Sequence, residues 1–142
     1  VSHCEFLVKG VKSLLDEAME DVWAAYDSEK VYLWGYCMSP GVLFFRLVTS
    51  VCLDFKYTLH KGDMDDEVQW PFKRNVWVRV IHPRGREDIV REYKPYRFDP
   101  GNQKPTTSSN KSCYFYYSAL QELMRDGYAD NDQLRIKFEL LP

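Results

Sequence analysis

Apolar side chains return at every second position in several stretches of this chain. Leu53, Phe55, Tyr57 and Leu59 alternate with Asp54, Lys56 and Thr58. Val76, Val78 and Val80 fall opposite Trp77, Arg79 and Ile81, and the run from Leu134 to Leu140 alternates without a fault. A period of two is the signature of a strand with one face in a core. The pattern therefore predicts strands over Cys52–Leu59, Ile89–Tyr93 and Leu134–Leu140. It also predicts one long central strand that enters at Trp70-Pro71-Phe72 and stops at Pro83-Arg84-Gly85. In Cys52–Leu59 the charged alternates predict a solvated outer face.

Shorter apolar runs predict further strands. Glu5–Val11 is one, and Val31–Tyr36 and Val42–Val48 are two more, joined by a turn at Ser39-Pro40-Gly41. Cys113–Tyr117 is a brief aromatic strand. A helical period appears at Leu14, Leu15, Ala18, Met19, Val22, Trp23 and Tyr26, so a helix is expected over 13–27 with Ser13 as its cap. It is too short for a coiled coil of its own and is expected to lie on its own domain. A second short helix follows a cap at Ser118 and ends at Gly127. Asp63–Glu67 reads as a solvated acidic loop, and Asp99–Ser112, nearly devoid of apolar residues, as a long surface loop of the kind that is functional or mobile.

A chain of 142 residues with this order of elements predicts one domain over 1–142. The class is all-β: an antiparallel β-sandwich of seven to eight strands with one or two short helices, with Trp70, Phe72, Val78, Phe138 and Leu140 buried. The formal net charge of −2, with signs interspersed, gives no basic groove for nucleic acid. No apolar run is long enough to span a membrane as a helix. The chain starts at Val1 and reads as a segment of a longer soluble protein. Its four cysteines, Cys4, Cys37, Cys52 and Cys113, show no metal-ligand spacing and are expected as free thiols in the cytoplasm. No metal or cofactor is expected.

Catalysis needs a nucleophile with a base, a carboxylate pair or an open metal. His3, His60 and His82 are scattered, Cys113 has no histidine near it in sequence, and none of the common catalytic fingerprints occurs, so the chain is not read as an enzyme. The 22 aromatic residues keep a carbohydrate-binding sandwich as an alternative. Most of them, however, occupy the inward phase of their strands.

Trp70-Pro71-Phe72 before an alternating strand, then Tyr93-Lys94-Pro95, Gln103-Lys104-Pro105 and Tyr128-Ala129-Asp130-Asn131-Asp132, resembles the TRAF-type (MATH) domain. The resemblance covers about half of the chain. It implies a TRAF-like sandwich that binds a short linear peptide of a receptor tail or ubiquitination substrate along an edge strand, as an adaptor in ubiquitin-linked signalling. Carried onto this chain, the peptide strand is Lys111-Ser112-Cys113-Tyr114-Phe115. Arg46 is the basic residue of the neighbouring strand and Tyr93 the aromatic of the groove. Homo-oligomer formation stays open, and a dimerisation module of a RING-type ubiquitin ligase is the other reading of the resemblance. Two departures bear on specificity. Asp99-Pro100-Gly101 stands where the signalling TRAF proteins carry serines, and Lys111-Ser112-Cys113-Tyr114 where they carry Ser-Gly-Cys-Pro.

Overall fold

The alternating stretches form the strands of two antiparallel sheets in a computed structural model that describes residues 2–142. In chain order the elements are β1 His3–Lys9, α1 Val11–Asp21, β2 Trp23–Asp27, β3 Val31–Leu33, β4 Tyr36–Leu47 and β5 Ser50–Leu59. There follow β6 Val76–Ile81, β7 Ile89–Tyr93, β8 Cys113–Ala119, α2 Leu120–Arg125 and β9 Gln133–Leu140. One sheet has the order β1-β9-β6-β7. The other runs β2-β4-β5-β8, with β3 also paired to β4. Every pairing is antiparallel.

The inward phases are those the pattern predicts. Leu53, Phe55, Tyr57 and Leu59 of one sheet meet Val76, Val78, Val80, Ile136 and Phe138 of the other, all fully buried. Burying a side chain of this size contributes about 1.5–3 kcal/mol. Phe72 and Leu140 are buried as well. Trp70 is only half-buried, because its indole N–H is spent on the Asp65 carbonyl at 2.7 Å near the surface.

Several expectations need correction. The helix expected over 13–27 ends at Asp21, and Trp23–Asp27 is a strand paired with Gly41–Phe45. Val22, at φ 80, breaks the helix, and the β-forming Trp23 and Tyr26 find ladder partners that outweigh their helical spacing. Its first turn is capped by Gly10 and by the distant Asp132 carboxylate, which accepts from Lys12 N–H at 2.8 Å, rather than by Ser13. Ala18 is buried, so the helix packs on its own domain. With β2 added, the described residues hold nine strands where the pattern gives seven or eight.

Ser39-Pro40-Gly41 is not a turn but the middle of β4. In a strand the N–H and C=O of one residue point the same way, and the Pro40 carbonyl accepts from Ser28 N–H at 2.8 Å. The missing N–H of proline thus faces the link between β2 and β3, and the ladder to β5 is intact. Gly41 is required at this point, since a Cβ there would lie 2.3 Å from the Tyr26 carbonyl. The strand expected from Trp70 is shorter, beginning at Val76, although it is central as predicted, between β9 and β7.

The outer face of β5 is not solvated at Lys56, which is buried. Asp27, Gly41, Lys56 and Tyr114 form one row across four strands. The Lys56 stem crosses the bare Gly41 to reach the Asp27 carboxylate at 2.6 Å, and the Tyr114 ring lies 5.7 Å from its ammonium. Asp65 of the acidic loop is buried too, its carboxylate closing the loop onto Gly62 N–H at 3.0 Å. The expected surface loop after Asp99 contains a 3-10 turn, Pro100–Asn102, whose Gly101 and Asn102 are buried. Finally, Ser118 does not cap α2, because β8 continues through Ala119.

Leu47 pairs with Ser50, leaving a two-residue hairpin loop whose first residue, Val48, has φ 58 and is 91% exposed. Glycine is the residue that such a position favours, and a β-branched side chain there is strained by about 1–2 kcal/mol. Val48→Gly should therefore raise stability by about 1 kcal/mol after allowance for glycine's looser unfolded chain, measured as a higher urea midpoint at unchanged slope.

Candidate functional site

β8 pairs with β5 alone and is an edge of its sheet, just as β7 is an edge of the other. Side chains alternate along this strand. Cys113 and Tyr117 are buried and Phe115 half-buried, while Tyr114 is 49% and Tyr116 61% exposed. The direction of the backbone groups follows from the ladder. His60 N–H donates to the Cys37 carbonyl and the Leu59 carbonyl accepts from Asn110 N–H, so even-numbered residues of β5 bond toward β4 and odd-numbered ones toward the β8 side. Cys113 and Phe115 lie opposite Tyr57 and Phe55 and are bonded to β5. The N–H and C=O groups of Tyr114 and Tyr116 consequently face outward, where no strand among the described residues pairs with them.

The two sheet edges meet along a seam. On β7 the residues opposite the inward Val76, Val78 and Val80 are Tyr93, Arg91 and Ile89, so these three also point between the sheets. Tyr93 stacks on Phe115 at 4.5 Å between centroids and 11° between planes. Tyr117 reaches from β8 into the opposite sheet. Its hydroxyl donates to the Ile89 carbonyl and accepts from Val80 N–H at 3.2 Å. A bulge makes this reach possible: Leu53 faces Ser118 and Asp54 faces Tyr116, leaving Tyr117 as the extra residue.

Behind the start of β8 lies Asn102, fully buried. Its side-chain oxygen accepts from the Tyr57 hydroxyl at 2.6 Å, its amide donates to the Tyr96 carbonyl at 2.9 Å, and its backbone carbonyl accepts from Phe72 N–H at 2.7 Å. The Cys113 thiol lies 3.5 Å from the same oxygen. Gly101 fits here because a Cβ would come within 2.6 Å of the Cys113 sulfur and the Lys111 carbonyl. Burial pushes the Cys113 thiol up to about 12, so it stays protonated at neutral pH and acts as a small apolar group. Burial likewise raises the Tyr57 hydroxyl well above the usual tyrosine range.

The structure thus brings Tyr93, Cys113 and Phe115 together, with Tyr114 on the outward face of the same strand. Lys111 and Ser112 stand just before β8, and the Ser112 hydroxyl is engaged with Thr58 Oγ1 at 2.6 Å. Arg46 is placed elsewhere. It lies on β4, two strands from β8, opposite Val51, and its guanidinium donates to the Met19 carbonyl of α1 at 2.6 Å. Sequence reasoning did not single out Asn102, Tyr117 or Arg91. Tyr117 and Arg91 had a signal, their places in the alternating phases of Cys113–Tyr117 and Ile89–Tyr93; Asn102 had none. Among the described residues, no group of three or more His, Cys, Asp or Glu side chains is placed to hold a metal ion.

A family model for the TRAF/meprin MATH domain matches residues 32–137, well over half of the chain. The chain belongs to the TRAF/meprin MATH domain family. No curated protein matches the sequence. Among solved structures, TRAF5 of Notothenia coriiceps superposes with a TM-score of 0.85 at 18% identity, over 99% of this chain and 73% of that one. The MATH fold is therefore present from β1 to β9, and membership makes this domain a protein-interaction module.

Asn102→Ala removes the acceptor of the buried Tyr57 hydroxyl and one of the two donors to the Tyr96 carbonyl, which keeps the Asp99 N–H. Each such loss costs about 1–3 kcal/mol, so a total near 3 kcal/mol is expected in urea unfolding, with Tyr57→Phe, which leaves only Asn102 short of one bond, costing clearly less.

Proposed function

We propose that this MATH domain is a non-catalytic adaptor that receives a short extended peptide of a partner protein as an added strand on the open edge of β8. The observation that carries this reading is the outward backbone of Tyr114 and Tyr116. An unpaired edge with alternate free N–H and C=O groups is a template for another chain, and nothing among the described residues covers it. The two exposed tyrosine rings beside it are the rigid, amphipathic anchors that interface hot spots favour. The edge is also held firmly from behind, by the Asn102 knot at its start and by Tyr117 at its far end, so little order has to be gained on binding.

Of the residues expected at the groove, Tyr93, Cys113, Tyr114 and Phe115 serve this reading. Cys113 and Phe115 support the strand from inside, and Tyr114 meets the ligand. Arg46, tied to α1, has no part in it. Family membership further supports a role as a substrate or receptor adaptor in cytoplasmic, ubiquitin-linked signalling. No helix among the described residues is long and apolar enough to cross a membrane.

Selection of short random peptides displayed on phage against the domain should yield binders. Tyr114→Ala should weaken those binders about thirtyfold, the equivalent of about 2 kcal/mol at a hot spot. Tyr114→Pro should abolish binding while the melting temperature stays within a few degrees, because an edge strand tolerates proline where the N–H faces outward. Binders that are indifferent to both changes would place the site elsewhere. A dimer that selects no peptide and is split by Tyr114→Pro would assign the edge to a second copy of the chain.

A further inference from the structure

β1 is the far edge of its sheet, paired with β9 and with no other strand among the described residues. The direction of its backbone groups is fixed at both ends of the ladder. The Ser2 carbonyl accepts from Leu140 N–H at 2.9 Å and Gly10 N–H donates to the Asp132 carbonyl at 3.1 Å, so even-numbered residues bond toward β9. The N–H and C=O groups of Glu5, Leu7 and Lys9 therefore point away from it, and the side chains of all three are exposed. The even-numbered side chains face inward. Val8 is fully buried, and Phe6 stacks on Tyr26 of β2 at 6.4 Å between centroids and 15° between planes. A groove of about 430 Å³ follows this edge, lined by Phe6, Leu7, Tyr26, Ser28 and Val31. The helix α1 packs elsewhere, against β2, β4 and β5.

We infer that β1 pairs with β1 of a second copy of this chain, antiparallel about a two-fold axis at Leu7, and so joins two sheets into one. Charged side chains normally guard an open edge; here their spacing makes the edge complementary to itself. Bonded pairs must match two odd-numbered residues, since only those have groups facing outward. Centring on Leu7 sets Glu5 opposite Lys9 of the second copy, and the two-fold axis repeats that pair on the other side. Centring on Phe6 would set Glu5 against Leu7 and His3 against Lys9, with no opposite charges, and centring on Glu5 would bring two carboxylates together. Lys9 makes no ion pair among the described residues. Glu5 accepts from Arg135 through Oε2 alone, at 2.8 Å, which leaves Oε1 for the incoming ammonium. On the inner face Phe6 meets Val8 of the second copy, an apolar cross-strand pair. Exposed ion pairs add little affinity. The backbone bonds and the apolar contacts of Phe6 and Leu7 supply it, and the charges decide register and partner.

Analytical ultracentrifugation of the chain over a range of concentrations reads the association. The wild type should dimerise, and Tyr114→Pro on the β8 edge should leave that dimer intact. Leu7→Pro, whose lost N–H faces away from β9, should split it while the melting temperature stays within a few degrees. Glu5→Lys and Lys9→Glu should each weaken self-association about tenfold or more, because each sets like charges opposite one another twice, and by less as salt rises. Mixed in equal amounts, these two variants should associate within about threefold of the wild type, since both crossing pairs are then opposite in sign. If Leu7→Pro fails to fold, the charge variants and their mixture decide the matter. A chain that stays monomeric, a dimer that survives a folded Leu7→Pro, or charge variants that associate no better mixed than apart would overturn the inference.

Discussion

The buried amide of Asn102 is the constraint on which the arrangement of the open β8 edge depends. A side chain with two donors and an acceptor, removed from water, must have its hydrogen bonds met by the protein. Asn102 meets them with groups from separate parts of the chain: Tyr57 of β5, the loop at Tyr96 and, through its own carbonyl, Phe72 ahead of β6. Both sheets and the connection between β7 and β8 are thereby fixed to one point. The start of β8 follows, because Gly101 lets the Lys111 carbonyl and the Cys113 sulfur come into contact with the turn. A long polar loop is in this way converted into a rigid support for the strand that comes after it.

From that point the seam between the sheets closes by aromatic packing. The Tyr93–Phe115 stack spans the two edges, and the bulge at Tyr117 sends a hydroxyl into the backbone of β6 and β7. These contacts satisfy the inner side of β8 without using its outer side. The same division appears on the outer face of the sheet, where Lys56 is neutralised by Asp27 and covered by Tyr114. Tyr114 therefore has one face on a satisfied ion pair and the other open, and its backbone groups point away from β5. The inner side of the edge is satisfied while its outer side stays unpaired among the described residues.

Most of the sandwich was legible because a half-buried strand announces itself by period two. β5, β7 and β9 were placed within one or two residues, and the family motifs around Trp70 and Gln103 agree with a family match that reaches back to Tyr32. What failed was local. Trp23–Tyr26 falls on the helical period of the residues before it, and only the ladder with β4 makes it a strand. Ser39-Pro40-Gly41 has turn composition, yet it lies where the strand changes neighbours and a missing N–H costs nothing. Asn102 was illegible for a physical reason: burial of a polar residue depends on partners far along the chain, and no local pattern encodes Tyr57 or Phe72. Arg46, placed by resemblance, is taken up by a helix carbonyl whose position depends on where α1 stops.

Amide hydrogen exchange reads the outward-facing backbone of β8 directly. In the free domain the Tyr114 and Tyr116 amides should exchange rapidly while those of Cys113 and Phe115, bonded to β5, are protected. A selected peptide at saturating concentration should slow Tyr114 and Tyr116 and leave Cys113 and Phe115 as they were. Protection of Tyr114 already in the free domain, or exchange at Tyr114 that is unmoved by bound peptide, would contradict the account.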